Sequence, residues 1–598
     1  MTWILKHTIL RWVFLNYIRL LNRAKMTEYG FMVIMAAFIG VMGGLGAIGF
    51  RYLIGSIQNI SWGTTEYSLE AVRALPWYWI IPVPAAGGLL VGLLVYFFAR
   101  EAKGHGVPEV MEAVALRHGV IRPRVVLAKM FASAICIATG GSVGREGPIV
   151  QIGSAFGSTL GQLLRVSKKR LRTFVGCGAA AGISATFNAP IAGAIFSLEI
   201  ILSDFGVPQF SPIVISSVLA AVVSRHYLGN FPAFSVSEYQ LISPWELITY
   251  TMLGLACGFV AVTYIRSVYF LEDNFDKLKV PGYAKAALGG FIIGCIGVFF
   301  PEIFGVGYET ISSALEGGLA WKLLLVLLII KLLATSITLG SGGSGGIFAP
   351  SLFLGAMTGG LLGTVFHTLF PGITAESGAY AIVGMGAVVA AATHAPITAI
   401  LIIFELTSDY KIVLPLMLAC IISTIFALRM KRESIYTLKL IRRGVNIFKG
   451  QEKNILKSIL VKSIMNNNVT LVSEDTPISR LVELAGNSSR SSFYVEDESH
   501  AIVGVIDDIS LRQALASSHH LKNIIIAEDI TNTRINTVQM NDSLDNVMRL
   551  FASEHVDELP VISSEHDKKV IGIININDAL AAYNNALLKR EHEEASTA

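Results

Sequence analysis

Charged residues are scarce in this chain of 598 residues. Asp, Glu, Lys and Arg make up 15% of it and hydrophobic residues 53%, whereas an ordinary soluble protein carries about 25% charged residues. This shortage excludes a disordered chain, a collagen and a water-soluble enzyme, because none of them has this composition. The composition therefore predicts a protein that lies mostly in a membrane.

Cysteine is also sparse, and no two cysteines stand in a CxxC pair. The five cysteines lie singly in apolar runs, at Cys136, Cys177, Cys257, Cys295 and Cys420. An odd number of scattered cysteines indicates neither a zinc site nor a disulfide framework. Each is expected to be a small hydrophobic residue of the interior.

The last quarter of the chain nearly lacks glycine and has no tryptophan. Residues 451–598 hold three of the 56 glycines, and 13 Lys and Arg against 22 Asp and Glu, a net charge of −9. Residues 1–450 carry a net charge of +13 and all seven tryptophans. The pattern predicts an apolar membrane body, then a soluble, acidic appendage, with the boundary between 445 and 458.

Several apolar runs are long enough to cross a membrane, which takes about 20 residues. They are 31–57, 78–98, 174–203, 246–265, 283–300, 322–339, 378–406 and 412–428. Gly, Ser and Pro break the shorter apolar pieces between them, which predicts half-helices. Non-helical backbone is tolerated at membrane depth only where protein or a water-filled path covers it. The breaks therefore indicate a pathway through the body.

Basic residues indicate the orientation. Five lie in the amphipathic stretch 1–28, and further clusters lie at 165–172 and 429–443. Because Lys and Arg favour the cytoplasmic side, we expect both termini in the cytoplasm, in a plasma or inner membrane. The stretch 1–28 is expected to be a cytoplasmic or interfacial helix.

Two motifs of the membrane body occur twice. Residues 140–148 match 342–350 at an offset of 202, and 188–199 match 394–405 at an offset of 206. Duplicated halves whose broken helices meet at a site are a transporter architecture. The alternative is that Gly-rich packing motifs recur in any membrane protein.

Three Gly-rich turns precede apolar helices. They are 104–108 (GHGVP), 144–148 (GREGP) and 346–350 (GIFAP). Proline suits the first turn of a helix, glycine lets a ligand approach the backbone, and the free N–H groups of a helix start bind anions. Three such starts inside a membrane predict an anion-binding site.

One carboxylate lies inside these turns. Glu146 stands at a predicted helix start, and a carboxylate at membrane depth is expected to be functional. Its anionic form can occupy the anion site, whereas its protonated form cannot. Glu146 is therefore predicted to gate the path; the alternative is a structural partner for Arg145 or a simple helix-start carboxylate.

These motifs, in this order and with Tyr436 after the last span, resemble the CLC chloride channel and transporter family over residues 29–445. The resemblance implies a mainly α-helical polytopic membrane protein with an inverted internal repeat. It also implies a homodimer with one anion path in each subunit and no required cofactor. Chloride and other small anions, protons and membrane lipid are the expected partners, and nucleic acid is not.

The resemblance also implies residue roles. Glu146 matches the external gating glutamate, the N–H groups of Ile347 and Phe348 match the central anion site, and Tyr436 matches its tyrosine ligand. Four further turn residues are expected to line the site, namely His105, Gly106, Arg145 and Gly147. Glu199 and Glu405 match the inner glutamates of the repeat and are interpreted as structural.

The sequence departs from the family pattern at two positions. His105 replaces an inner serine ligand; it can donate a hydrogen bond and carry charge near pH 6.5, or only line the vestibule. Ile200 stands where proton-coupled members commonly carry an internal glutamate. We therefore expect channel-like or weakly proton-coupled chloride transport, with H⁺/Cl⁻ antiport as the alternative.

The appendage contains an α/β repeat, over 458–516 and 525–585, with predicted strands at 492–495, 501–506, 559–562 and 570–574. It resembles a tandem pair of cytoplasmic CBS domains, which often bind adenine nucleotides such as ATP, ADP or AMP. The usual ribose-binding aspartate is Asp578 in the second repeat and is replaced by Ser510 in the first. A dimerisation module without a ligand is the alternative. A linker (446–457) precedes the pair, and an acidic tail (586–598), expected to be disordered, follows it.

Two other functions would need features that are scarce or absent in this sequence. A cation transporter with nucleotide-sensing CBS domains would need several intramembrane carboxylates as ligands, and the body offers few. An intramembrane enzyme would need a catalytic constellation, and the sequence contains no HExxH motif, paired aspartates or Ser/His arrangement. Anion transport remains the leading interpretation.

Overall fold

The chain divides into two compact units, Met1–Val445 and Asn446–Ala598. The computed structural model describes residues 28–98, 104–230, 234, 239, 241–445, 456, 459–487, 492–517, 525–533, 535–554, 556–563 and 568–596. The predicted helix in 1–28 and the predicted linker 446–457 lie almost wholly outside the described residues.

The described residues of the first unit form mainly α-helices, joined by turns and loops. A π-helical turn, Ser197–Leu202, continues α9, and a 3₁₀ turn, Pro301–Ile303, precedes α13. The α-helices are α1 (Glu28–Trp62), α2 (Leu69–Arg73), α3 (Trp77–Ile80), α4 (Pro82–Phe97), α5 (Val107–Leu116), α6 (Arg124–Ala138), α7 (Glu146–Leu163), α8 (Lys168–Phe187), α9 (Pro190–Phe196), α10 (Val207–Leu228), α11 (Glu246–Lys277), α12 (Gly282–Phe299), α13 (Tyr308–Leu315), α14 (Trp321–Gly340), α15 (Phe348–Leu369), α16 (Ser377–Thr393), α17 (Pro396–Thr407), α18 (Val413–Met430) and α19 (Thr437–Arg442).

Eight helical segments among the described residues are long and apolar enough to cross a membrane. Two predicted spans, 174–203 and 378–406, were wrong as single helices, because α8 ends before α9 and α16 ends before α17. Asn188 and His394 end the first helix of each pair with φ of 58° and 57°, and a proline then starts the next helix. A left-handed residue followed by proline stops a helix regardless of hydropathy.

Two spanning helices were missed in the sequence. Pro212 interrupts the run of α10, and α15, which contains several glycines and threonines, is the least apolar of the eight segments. These small residues allow close packing: a Cβ on Gly355 of α15 would overlap the carbonyl of Gly384 in α16. The helices of the interior are therefore identified by small residues rather than by high hydropathy.

The two halves of the first unit pack in the same way. In the first half, α8 contacts α1, α7 and α10, and in the second half α16 contacts α11, α15 and α18. The helices α8 and α16 are almost fully buried. The repeated motifs thus belong to two structural repeats around a helical core.

The second unit contains two three-stranded sheets of identical topology. In each, the first strand pairs parallel with the second, which pairs antiparallel with the third. The strands are β1 (Leu471–Ser473), β2 (Ser492–Glu496), β3 (Ile502–Asp507), β4 (Val538–Gln539), β5 (Glu558–Ile562) and β6 (Val570–Asn575). The four predicted strands match β2, β3, β5 and β6 to within one residue at each end.

Helices cover these sheets, and one of them corrects a prediction. They are α20 (Ile478–Asn487), α21 (Asp508–Ser517), α22 (Ala527–Ile530), α23 (Leu544–Glu554) and α24 (Ile576–Ser596), with a 3₁₀ turn at Val461–Ser463. The acidic tail, expected to be disordered, is helical to Ser596 because α24 continues through it. Alternating acidic, basic and alanine residues are compatible with a solvated helix.

Candidate anion site

Three Gly-rich turns, far apart in sequence, meet in the first unit. Gly144 and Gly346 exchange two backbone hydrogen bonds of 2.8 and 2.6 Å between N and O. The Gly104 N–H donates to the carbonyl of Gly343 at 3.2 Å, and the Gly345 N–H donates back to Gly104 at 3.3 Å. The starts of α5, α7 and α15 are therefore joined at one place.

At this junction the backbones of two turns approach so closely that only glycine fits. A Cβ on Gly147 would overlap the carbonyl of His105, and one on Gly106 would lie 2.7 Å from the carbonyl of Gly147. Gly106 also has a φ of 91°, which favours glycine. Both residues therefore let the starts of α5 and α7 touch.

Glu146 is buried at this junction, with 1% of its surface exposed. Its Oε1 accepts a hydrogen bond from the Tyr308 hydroxyl at 3.2 Å. Its Oε2 makes no hydrogen bond of standard geometry with a described residue, and it lies 3.3 Å from the position that a Cβ on Gly346 would take. The carboxylate thus points at the helix starts, where an anion would be held.

Arg145, the residue before α7, extends its side chain to Tyr308. Its guanidinium carbon is 5.3 Å from the centre of the Tyr308 ring. Arg145 and Tyr308 both line a cavity of about 330 Å³, together with Arg51 and Glu309. Arg145 therefore contributes positive charge to the wall of this cavity.

The remaining predicted ligands are buried. Ile347 precedes α15 and Phe348 begins it, and the Phe348 ring lies 5.6 Å from the Phe187 ring. Tyr436 precedes α19 and is 2% exposed. The helix α19 that follows Tyr436 packs against α5, one of the helices that begin at the junction.

His105 lies among cationic groups. It is 2% exposed, and its Nδ1 has no hydrogen-bond partner among the described residues. The buried Lys129 donates from Nζ to the carbonyl of Gly104 at 2.7 Å, and Lys439 lies against the same glycine while pairing with Glu109 at 3.7 Å. This side of the site thus contains two buried lysines and a mostly buried glutamate that the sequence analysis did not predict.

The two repeat glutamates make reciprocal contacts. Glu405 accepts hydrogen bonds from the N–H groups of Ile191 and Ala192 at 3.0 and 2.7 Å. Glu199 accepts from the N–H of Thr398 at 2.7 Å and from its hydroxyl. Each carboxylate thus caps the broken helix of the other half, which supports the structural interpretation.

Ile200 is buried in the π-helical turn beside Glu199. An aliphatic side chain there offers no site for a proton. Because Glu199 is held by the start of α17, it is not free to replace the missing carboxylate.

A fourth glycine turn was missed in the sequence. Residues 305–307 (GVG) repeat 104–106 (GHG) at an offset of 201, and Gly305 and Gly307 both have positive φ. Lys331, which follows Lys129 at an offset of 202, donates to the carbonyls of Gly305 and Ile303 at 3.0 and 2.9 Å. The repeated Lys-to-glycine spacing would have revealed this turn, which leads into Tyr308.

Comparison with known families decides the identity of this fold. The sequence model of the family described as voltage gated chloride channel matches residues 87–428. The chain belongs to this CLC family. The model of the CBS domain matches 461–517 and 527–585. The chain is therefore a multi-pass membrane protein of the chloride-transporting CLC type with two CBS domains.

Relatives within the CLC family include channels and exchangers. A ClcB-like chloride channel protein of Ralstonia nicotianae is 39% identical over 69% of this chain and 97% of that protein. The H⁺/Cl⁻ exchange transporter ClcA of Salmonella arizonae is 32% identical over 69% of this chain and 88% of that protein.

Solved CLC structures share the fold. A slow cyanobacterial Cl⁻/H⁺ antiporter matches with a TM-score of 0.64 and 26% identity, over 70% of this chain and 98% of that one. A eukaryotic CLC transporter, 20% identical, matches with a TM-score of 0.61 over 92% of this chain and 97% of that one.

In the CBS domains, Asp578 is exposed in the first turn of α24, immediately after β6. Ser510 has the same place in α21, where its N–H donates to Asp507 at 2.7 Å. The two CBS domains share a core of Tyr494 and Ile502 from the first and Ile562 and Ile573 from the second. The aspartate predicted to bind ribose is thus accessible, and the equivalent position of the first domain lacks a carboxylate.

Proposed function

We propose that the membrane unit carries chloride and other small anions along a path gated by Glu146, with channel-like or weakly proton-coupled transport. The observation that carries the proposal is the buried Glu146 carboxylate at the junction of the Gly144 and Gly346 turns. A carboxylate and an anion compete for the same helix-start N–H groups. Movement or protonation of Glu146 would therefore free the site.

The surroundings of the site suit an anion. The N–H groups of Ile347 and Phe348 at the start of α15 supply partial positive charge, and Tyr436 brings a hydroxyl to the same region. Lys129 and Lys439 lie against Gly104, next to His105, and bring cationic side chains to the turn that starts α5. A site with these donors and few carboxylates favours anions over cations.

Weak proton coupling is proposed because the inner proton relay is interrupted. Ile200 cannot carry a proton, and Glu199 is held by the N–H groups of α17. His105 is the remaining titratable candidate, but a proton added there would be repelled by Lys129 and Lys439. Antiport stays the second candidate function, because the Salmonella and cyanobacterial relatives are exchangers by name.

A flux experiment separates channel from antiporter. In proteoliposomes with a chloride gradient and no pH gradient, we expect chloride efflux with little or no uphill proton movement. A pH-sensitive dye records proton movement and a chloride electrode records chloride efflux. Vesicles with a potassium gradient instead of a chloride gradient are the control for cation transport. Proton uptake in fixed ratio to chloride, persisting when the membrane potential is collapsed, would establish antiport.

We further propose a homodimer in a plasma or inner membrane, with both termini in the cytoplasm. The basic cluster at 165–172 and the Lys and Arg residues after α18 support this orientation. Many large hydrophobic side chains of the first unit are exposed, as expected for contact with lipid or a second subunit.

We also propose that Asp578 contributes to an adenine-nucleotide site. A carboxylate can accept hydrogen bonds from both ribose hydroxyls, so calorimetry on the full-length protein should show binding of ATP, ADP or AMP. Asp578→Ala should weaken the affinity about tenfold, in line with the loss of hydrogen bonds to a charged group. Ser510→Ala at the equivalent position is the control and should bind normally. If Asp578→Ala and Ser510→Ala bind nucleotide with equal affinity, Asp578 is not part of the site. If the wild-type protein binds no adenine nucleotide, a dimerisation module without a ligand is favoured.

A further inference from the structure

Tyr308 is the residue whose hydroxyl is bonded to the gate candidate. It begins α13, and its hydroxyl donates to Glu146 Oε1 at 3.2 Å. The two residues are 162 positions apart in sequence, so the contact exists only in the folded chain. A hydroxyl that donates to a carboxylate stabilises its charged form in that position.

The Tyr308 side chain is held from three sides. Phe234 packs against the ring edge-on, with the ring centres 5.3 Å apart. The Arg145 guanidinium lies over the ring at 5.3 Å. The preceding Gly307 has a φ of 84°, and Lys331 fixes the turn before it through two carbonyls. The hydroxyl is therefore presented to Glu146 by a rigid support.

Tyr308 also separates Glu146 from open space. Tyr308 lines two cavities. One, of about 330 Å³, is also lined by Arg51 and Glu309, and the other, of about 270 Å³, is also lined by Asn188. A Glu146 side chain that leaves the helix starts toward these cavities must first give up the Tyr308 hydrogen bond.

We propose that Tyr308 is a latch for the gate: its hydroxyl holds the Glu146 carboxylate over the anion site and so sets how readily the path opens. The inference rests on the proposed function, in which Glu146 is the gate. Tyr308 is a positioning residue, because it acts through Glu146.

The latch has a consequence for pH dependence. Besides Tyr308, the charged or titratable groups near the junction include Arg145, whose guanidinium lies over the Tyr308 ring, and the buried Tyr436 before α19, which packs against α5. Loss of the hydroxyl removes a hydrogen bond that stabilises the anionic form of Glu146. A lower proton concentration is then enough to protonate Glu146 and open the path. The midpoint of the flux against pH should move upward by about one unit, and flux at neutral pH should rise up to about tenfold.

Tyr308→Phe tests the latch, with flux measured in proteoliposomes from pH 4 to pH 8. Tyr239→Phe is the matched control, because the Tyr239 hydroxyl donates to the carbonyl of Leu315 at the other end of α13. We expect the midpoint to shift in Tyr308→Phe and to stay in Tyr239→Phe. In a Glu146→Gln background, Tyr308→Phe should add nothing, since coupled residues give non-additive effects.

Three outcomes would overturn the latch. One is a wild-type midpoint in Tyr308→Phe, and another is an equal shift in Tyr239→Phe, which would show a structural effect of α13. The third is a full additional effect in the Glu146→Gln background. Tyr308→Leu, which also lacks a donor, replaces the Phe variant if that protein is not monodisperse. If Glu146→Gln itself leaves the pH dependence unchanged, the proposed gate fails rather than the latch alone.

Discussion

Chloride flux through Glu146→Gln should equal or exceed that of the wild-type protein, and its dependence on pH should flatten. Glutamine keeps the volume of the side chain but cannot carry the charge that competes with an anion at the helix starts. Because protonation no longer changes this side chain, the several-fold rise in flux on acidification expected of the wild type should disappear. Efflux from proteoliposomes at several pH values measures both effects.

The exposed Glu316, in the loop after α13, offers a matched control. Glu316→Gln makes the same chemical change away from the site and should retain wild-type flux and pH dependence. Abolished chloride flux in well-folded Glu146→Gln protein would contradict the gate assignment. Unchanged pH dependence in that variant would do the same.

Substitution by alanine should have different effects at Gly144 and at Gly147. A Cβ on Gly144 would overlap Glu146 Oε2, the end of a flexible side chain, and would lie 3.0 Å from the Cβ of Ala349. We expect Gly144→Ala to fold and to expel the carboxylate from its position. Its flux should therefore lose most of its pH dependence, as in Glu146→Gln, and the double variant should show no further change.

Gly147→Ala should instead damage the protein. Its Cβ would overlap the His105 carbonyl and lie 3.1 Å from the Cα of Gly346, and neither backbone can move without separating the starts of α5, α7 and α15. Such overpacking costs about 1–3 kcal/mol or more. Size-exclusion chromatography and thermal unfolding in detergent should show lower yield and stability for Gly147→Ala than for Gly144→Ala. Equal stability of the two variants, with wild-type pH dependence in Gly144→Ala, would contradict this geometry.

Local chemistry alone identified the parts of the anion site. Glycine, proline and a carboxylate in short turns specify helix starts whatever surrounds them, so Glu146 and the turns 104–108, 144–148 and 346–350 were recognisable before folding, whereas the roles of Phe348 and Tyr436 came from the family resemblance. The two-part composition and the repeat offsets likewise indicated a duplicated membrane body and a soluble appendage. Hydropathy was less informative, because it takes no account of a left-handed residue before a proline and underestimates helices whose small residues pack closely.

Only the tertiary structure decided which distant residues meet. Sequence alone placed Glu199 and Glu405 in matching motifs, but the reciprocal capping of α17 and α9 depends on how the halves pack. Tyr308 carried no signal of its own, since its contact with Glu146 requires the Gly305–Gly307 turn to be folded and held by Lys331. The amino-acid sequence by itself determined the helix starts, the gate carboxylate and the CBS strands, because these depend on neighbours in the chain. The partners of Glu146 and the lysines beside His105 were decided by tertiary structure, because they depend on packing between segments far apart in sequence.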